Sequence, residues 1–273
     1  MIIKSLELAD FRNYEELKIE FSSGTNILYG DNAQGKTNIL EAIFLSATTK
    51  SHKGSKDREI IRFGQEEAHI RTVLEKDGAE YRLDMHLRKS KSKGIAIDGQ
   101  KIKKAADLVG KLNVVFFSPE DLTIIKNGPA ERRRFLDLEL CQLDQSYLYN
   151  LTRYNKIILQ RNKMLKDLYE HPEYKVVLDV QDKQLIEYGS KVIGIREKFI
   201  NDLNQIIGPI HRKLTGEREN LCIFYEPNVK AEEFEDKMGR ARDRDVFLKQ
   251  TTVGPQKDDF SKAQDLFESA RAL

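Results

Sequence analysis

Gly30-Asp31-Asn32-Ala33-Gln34-Gly35-Lys36-Thr37 decides how this 273-residue chain is read. The octet fits G-x-x-x-x-G-K-[ST], the pattern of a phosphate-binding loop. Its glycines let the backbone curl so that successive N–H groups point inward at phosphate oxygens. A helix starting at Lys36 adds its positive dipole end. In such a loop Lys36 reaches the β- and γ-phosphates, and the Thr37 hydroxyl ligates Mg2+. The flanks have the required character. Thr25–Tyr29 (TNILY) reads as a short apolar strand, and Lys36–Thr48 carries Ile39, Leu40, Ile43, Phe44 and Ala47 at helical spacing. Strand, loop and helix in that order imply ATP or GTP binding. They do not by themselves prove hydrolysis.

Outward from the loop, the first part of the chain reads as β structure. Ile2 to Leu8 alternates apolar and polar, a turn region surrounds Asn13, and Leu17, Ile19 and Phe21 alternate again before Ser22-Ser23-Gly24 closes a hairpin. Ile70, Thr72 and Leu74 alternate, then Tyr81, Leu83, Met85 and Leu87, with Asp77-Gly78 as the hairpin turn between them. A second short hairpin turns at Asp98-Gly99. Val114 to Phe117 reads as another buried strand, ended by Ser118-Pro119.

The pattern then becomes helical. Gly128-Pro129 opens a helix, with Pro at a first-turn position. Residues 145–170 form a long helical pattern that stops before Pro172. Residues 175–214 form a second one, in which Leu178, Leu185, Val192, Phe199 and Ile206 recur every seven residues. Such a seam predicts an antiparallel pair of long helices. Gly189, Gly194 and Gly208-Pro209 are expected to bend or interrupt the second helix. Leu221 to Tyr225 reads as a strand, and residues 261–273 (SKAQDLFESARAL) as a short amphipathic helix or a frayed end.

Composition limits the function classes. Hydrophobic residues make up 40% and charged residues 33%, which excludes a membrane protein and argues against wholesale disorder. No run of 18 apolar residues is present, and the start MIIKSLELADFRNY lacks a signal-peptide pattern. Cys141 and Cys222 match no metal or redox spacing, so a reduced, cytoplasmic protein is expected. The formal net charge is +2, but residues 1–166 carry 29 Lys+Arg against 23 Asp+Glu and the remainder 17 against 21. That asymmetry favours a polyanion for the first part. Residues 88–104 hold seven Lys/Arg and one acid, so Lys91, Lys93, Lys101 and Lys103 are candidates for DNA phosphate contact, the alternative being a solvated charged hairpin. Arg153, Lys156, Arg161, Lys163 and Lys166 form a broader, weaker stripe. Arg132-Arg133-Arg134 fits either internal ion pairs or DNA.

Several blocks carry a family resemblance: LELADFRNYEELKIEF, GDNAQGKTNILEAI, TKSHKGSKDREIIRFG, VVFFSPEDLTIIKNGPAERRRFLDLELCQL and TTVGPQKDDF. On these the chain resembles the RecF family of bacterial recombination mediators, over residues 1 to about 260. It departs from them at Gln256-Lys257, where the family usually has His-Arg. The resemblance implies an α/β, SMC-like and ABC-type P-loop ATPase head with a mixed β-sheet lobe and a helical lobe containing the long-helix pair. It implies residues 1–117 as the nucleotide-binding lobe, 118–250 as the helical lobe, and 251–273 as the start of a return to the first lobe. It also implies ATP with Mg2+, an ATP-dependent homodimer, DNA as partner at single-strand gaps, junctions and duplex, other mediators of the same pathway, recombinase loading and the SOS response. Arg12 and Asn13 resemble nucleotide-side residues of the family. Lys50, His52 and Lys53, after the loop's helix, are candidates for approaching phosphate.

ABC-type heads also use a signature loop and an acidic Walker B pair, and neither pattern occurs before Leu273. The expectation is a C-terminally truncated chain with an exposed apolar strand edge beside Thr25–Tyr29, which binds nucleotide weakly and hydrolyses it slowly or not at all. Asp258 and Asp259 are the nearest replacement acids, although a polar turn after Gly254-Pro255 is the better explanation of them. Two other readings remain: a non-functional fragment, and a small-molecule P-loop kinase.

Overall fold

The computed structural model describes residues 1–118 and 128–266. The later part of the Phe-Ser-Pro-Glu-Asp-Leu block and residues 267–273 lie outside the described residues. The chain divides into two compact units at Phe117/Ser118.

The first unit is built on a six-stranded sheet of β1 (Ile2–Phe11), β2 (Tyr14–Glu20), β3 (Glu67–Lys76), β4 (Ala79–Arg88), β5 (Gly94–Ile97) and β6 (Gln100–Lys101). Their order is β2-β1-β3-β4-β5-β6, antiparallel throughout. Alternation sets the register. Ala68, Ile70, Thr72 and Leu74 of β3 point to the buried face while Glu67, His69 and Arg71 point away. Both hairpin turns fall where the Asp-Gly pairs stand, with Asp77, Gly78, Asp98 and Gly99 all at positive φ. The buried face packs on α1 (Lys36–Thr48), so Leu6, Leu8, Ile70, Met85, Ala42 and Leu45 share one core. A single helical turn, α2 (Asp57–Ile60), adds Ile60 and the following Ile61 to this core.

Two segments expected as strands have no ladder. Thr25–Tyr29 and Val114–Phe117 carry no strand assignment, and no strand pairs with either among the described residues. Each is half-covered by alternation. Leu28 and Val114 pack on the core, whereas Tyr29 is 91% exposed and Val115 92%. The side chains fit a strand, but a strand exists only through a partner's backbone. Nor does Ser22–Gly24 close a hairpin. The Asn26 amide holds it as a turn, donating to Ser22 O and Gly24 O and accepting from Ser22 N.

The second unit is helical. α3 (Pro129–Leu143) starts with Pro at its first turn, as expected. Asp144 caps α4 (Gln145–Asp167), accepting from Ser146 N and Tyr147 N. α4 pairs with α5 (Tyr174–Thr215), a single helix of 42 residues. The expected breaks do not occur. Gly189 sits where an added Cβ would run into the Phe234 and Tyr154 rings, so it serves close approach rather than bending. Pro209 lies inside the helix, which continues past it. The seven-residue seam holds through Leu178, Leu185 and Val192, then shifts to Ile193, Arg196 and Ile200 and leaves Ile206 59% exposed. A straight helix rotates about 20° per heptad away from a fixed seam, which accounts for the drift. β7 (Glu219–Glu226) and β8 (Asp259–Leu266) pair antiparallel, and α6 (Phe234–Arg240) and α7 (Arg242–Leu248) fill the connection. The stretch Ser261–Leu266 is therefore strand, not amphipathic helix. β7 supplies the pairing that its own sequence does not announce.

Candidate nucleotide site

The loop Gly30–Thr37 leads directly into α1, whose observed bounds are those read from its periodicity. Positive φ occurs at Gly30 (138°), Ala33 (66°) and Gly35 (94°), so the backbone curls as the motif requires. Gly35 is constrained twice, because a Cβ there would lie 2.6–2.8 Å from Tyr14 Oη and the Asn13 side-chain amide. Gly35 is also the residue that precedes the first turn of α1. No side chain among the described residues caps that end of the helix and no acid lies in its first turn, so nothing there competes with an incoming anion. Lys36 folds back on the loop, its Nζ donating to Gly30 O at 2.7 Å and to Asp31 O at 2.6 Å. Its ammonium thus stands over the curl. The residues present fit a nucleotide phosphate.

Arg12 and Asn13 form the tight turn between β1 and β2, beside the loop. Asn13 Oδ1 accepts from Asn38 Nδ2 at 2.8 Å, and the Tyr14 hydroxyl donates to Gln34 O at 3.2 Å. Arg12 holds a positive φ of 54°. Its guanidinium donates to both oxygens of Glu41 (2.8 and 2.7 Å), to Glu59 O and to Ser55 Oγ. Glu41 lies on α1 with its side chain fully buried and also accepts from Ser51 Oγ at 2.5 Å. Burial alone would raise the Glu41 carboxyl. The hydrogen bonds from Arg12 and Ser51 outweigh it and hold the carboxyl below its ordinary range. Arg12 therefore fastens the first turn of the sheet to the helix that carries Lys36. Sequence reading singled out Arg12 but missed Glu41, Ser51 and Tyr14. The available signal was an acid on the buried stripe of an apolar helix, which requires a cation.

The other candidates separate. Lys50 and Lys53 are exposed, while His52 packs on the Phe44 and Phe116 rings. Lys93 is spent inside the unit, donating to Thr49 O at 2.7 Å and Asp57 Oδ1 at 2.8 Å. It is thus a structural tie rather than a free phosphate contact. Lys91, Lys101 and Lys103 are exposed. Arg161 leaves the basic stripe altogether, being fully buried against Asp182 and Asp245. Arg132 chelates Asp259 at 2.7 and 2.8 Å and Arg133 donates to Asp258 O, so these two arginines make internal ion pairs and hydrogen bonds. Asp258 is buried against Arg196, Tyr225 and Asn228 N. Neither acid is free to replace a Walker B carboxylate.

Comparison with known proteins agrees with this geometry. A family profile described as an AAA domain matches residues 5–266. The DNA replication and repair protein RecF of Agathobacter rectalis is 62% identical over 259 residues, 95% of this chain and 72% of that protein. RecF of Lachnoclostridium phytofermentans is 58% identical over 261 residues, 96% of this chain and 72% of that protein. Among solved structures, the recombination mediator protein RecF-ATP of the RecFOR pathway superposes with a TM-score of 0.91 at 31% identity, covering 100% of this chain and 75% of that one. At these identities, and with this fold, the chain belongs to the RecF family of DNA replication and repair proteins.

Proposed function

We propose that the chain is an ATP-binding DNA replication and repair protein acting as a recombination mediator. The observation that carries this reading is the Gly30–Thr37 curl, with Lys36 over it and an acid-free helix end behind it. The N–H groups of Gly30 to Thr37 bind the phosphates, and Lys36 leaves its two carbonyl partners for the β- and γ-oxygens. Thr37 supplies the hydroxyl ligand to Mg2+, which when bound neutralises phosphate charge. Arg12 and Asn13 position the loop from the β1–β2 turn rather than through phosphate. The solved relative described above is RecF-ATP, which supports ATP as the nucleotide. The binding role does not require Asp258 or Asp259.

The test is thermal melting of the chain with and without Mg-ATP, beside Lys36→Ala. Ligand at about 100 times Kd stabilises the native state by about 2.7 kcal/mol through mass action. A rise in melting temperature that vanishes in Lys36→Ala is expected. A rise that survives the substitution, or none at all, overturns the reading.

DNA is the partner this family reading implies, with the exposed Lys91, Lys101 and Lys103 as phosphate contacts. Neutralising all three flattens the slope of log affinity against log salt, by about 0.9 for each duplex phosphate that is no longer neutralised. An unchanged slope removes this hairpin region from the interface. Pairing into a nucleotide-bound homodimer and association with other pathway proteins are further parts of the same proposal. No helix among the described residues is long and apolar enough to cross a membrane.

A further inference from the structure

The sheet face turned away from α1 carries a cluster that nucleotide binding does not use. His69 of β3 and His86 of β4 are directly opposed in the ladder, and Glu67 stands two residues before His69 on the same face. The imidazole rings stack with centroids 4.1 Å apart and 21° between planes. His86 Nε2 lies 2.6 Å from Glu67 Oε2. One ligand atom from each of the three residues falls within 4.8 Å of the others. The ladder neighbours on either side are small: Ala9 pairs with His69 and Gly94 with His86. The two rings therefore open into a surface cavity of 690 Å³ rimmed by Lys18 and Lys101.

We propose that Glu67, His69 and His86 form a binding site for a divalent transition-metal ion of the Zn2+ class. Two imidazoles and one carboxylate suit Zn2+ and its neighbours, not Mg2+ or Ca2+, which take oxygen ligands. Bonds of about 2.0–2.2 Å in a tetrahedron place donor atoms about 3.4 Å apart. His86 Nε2 and Glu67 Oε2 are 2.6 Å apart, and the three ligand atoms all lie within 4.8 Å of one another, a spread that includes that value. Directly opposed side chains have Cβ atoms about 5 Å apart, so ring rotation alone closes the site without moving backbone.

Several of the surrounding cations have partners, while Lys101 on the rim is exposed. Arg71 pairs with Asp84 and Glu7, Lys89 with Glu66, and Arg88 donates to Ser92 O. Water would supply the fourth ligand of the tetrahedron.

The experiment titrates Zn2+ alone into the chelator-stripped chain without nucleotide, by calorimetry, with Co2+ absorption as a geometric readout. One ion per chain is expected. Of the five histidines, only the His69 and His86 ring resonances shift on binding. His86→Ala and Glu67→Gln each weaken affinity by at least the loss of about 10-fold that removing an outer-shell partner causes. His171→Ala and His211→Ala leave affinity unchanged. Far-UV melting of the metal-free variants checks their folding, and the resonance shifts on the unaltered chain decide the matter if a variant unfolds. No saturable binding overturns the proposal. So does binding that survives the His69→Ala, His86→Ala double change, or shifts confined to other histidines. None of these outcomes bears on the phosphate loop.

Discussion

Replacing Glu41 by alanine removes the acceptor that fastens Arg12 to α1. Two Arg12 hydrogen bonds end on this carboxylate, and the Ser51 hydroxyl donates a third. Breaking a buried ion pair by deleting one partner costs about 3–5 kcal/mol. Arg12 keeps its bonds to Glu59 O and Ser55 Oγ, and its side chain is 20% exposed, so solvent screens part of its orphaned charge. The loss then falls near the lower bound, about 3 kcal/mol. Arg12→Ala is the harsher change, because it leaves a fully buried carboxylate unpaired; about 4 kcal/mol is expected. The double variant costs less than the sum, by a coupling of about 2–3 kcal/mol. Urea unfolding followed by far-UV circular dichroism measures all three variants. With a slope of about 2 kcal/mol/M, Glu41→Ala moves the midpoint of the first unit down by about 1.5 M. Hydrogen exchange in peptides spanning α1 confirms where protection is lost. Single effects that add within about 0.5 kcal/mol would show that Arg12 and Glu41 do not act as a brace, and would return Arg12 to a direct phosphate role.

Three further outcomes follow from the same structure. Gly35→Ala combines a positive φ with a Cβ pressed on Tyr14 and Asn13, so it destabilises by about 1–3 kcal/mol and abolishes the ATP-dependent rise in melting temperature. Arg196→Ala strands buried Asp258 together with Asp137 and costs about 3–5 kcal/mol in unfolding experiments, whereas Arg196→Met combined with Asp258→Asn is milder. Because the folded-state pKa of Glu41 lies below its ordinary 4.5, its ion pair stabilises fully above that value and is lost as pH falls through the folded pKa. Acid titration of the parent against Glu41→Gln therefore shows curves that run parallel above about pH 5 and converge below it; convergence at neutral pH would contradict this sign.

What the sequence disclosed was what neighbouring residues decide among themselves. α1 starts and stops where its periodicity says, and the Asp-Gly turns sit at the hairpins, because both follow from short-range backbone rules. Partners distant in the chain were hidden. Thr25–Tyr29 and Val114–Phe117 have strand side chains but no ladder among the described residues, and β8 has a ladder with little alternation to announce it. The seam of α5 was visible as far as Val192 and misled at Ile206, since a straight helix turns away from a strict seven-residue spacing. In the site, the octet showed the curl, yet the residues that stiffen it come from positions 12–14, 41 and 51–59. Their meeting is a tertiary fact. Arg161 and Lys93 looked like surface charge for the same reason. Their carboxylate partners lie in other elements.

The phosphate loop is supported as a cantilever. Its downstream end is built into α1, which the buried Glu41, Ala42 and Leu45 clamp to the sheet. Its upstream end continues into Asn26–Tyr29, where Leu28 packs on the core and the backbone amides have no ladder partner among the described residues. Once Lys36 leaves Gly30 O and Asp31 O for a ligand, the upstream half of such a beam is held less than the half built into α1. Ordering the compliant half on a ligand costs about 1–2 kcal/mol of backbone entropy for each residue fixed. Any strand that docks along Asn26–Tyr29 removes that cost in advance. On the proposed reading, phosphate affinity then depends on the upstream edge as well as on the loop itself, and the two act as one spring.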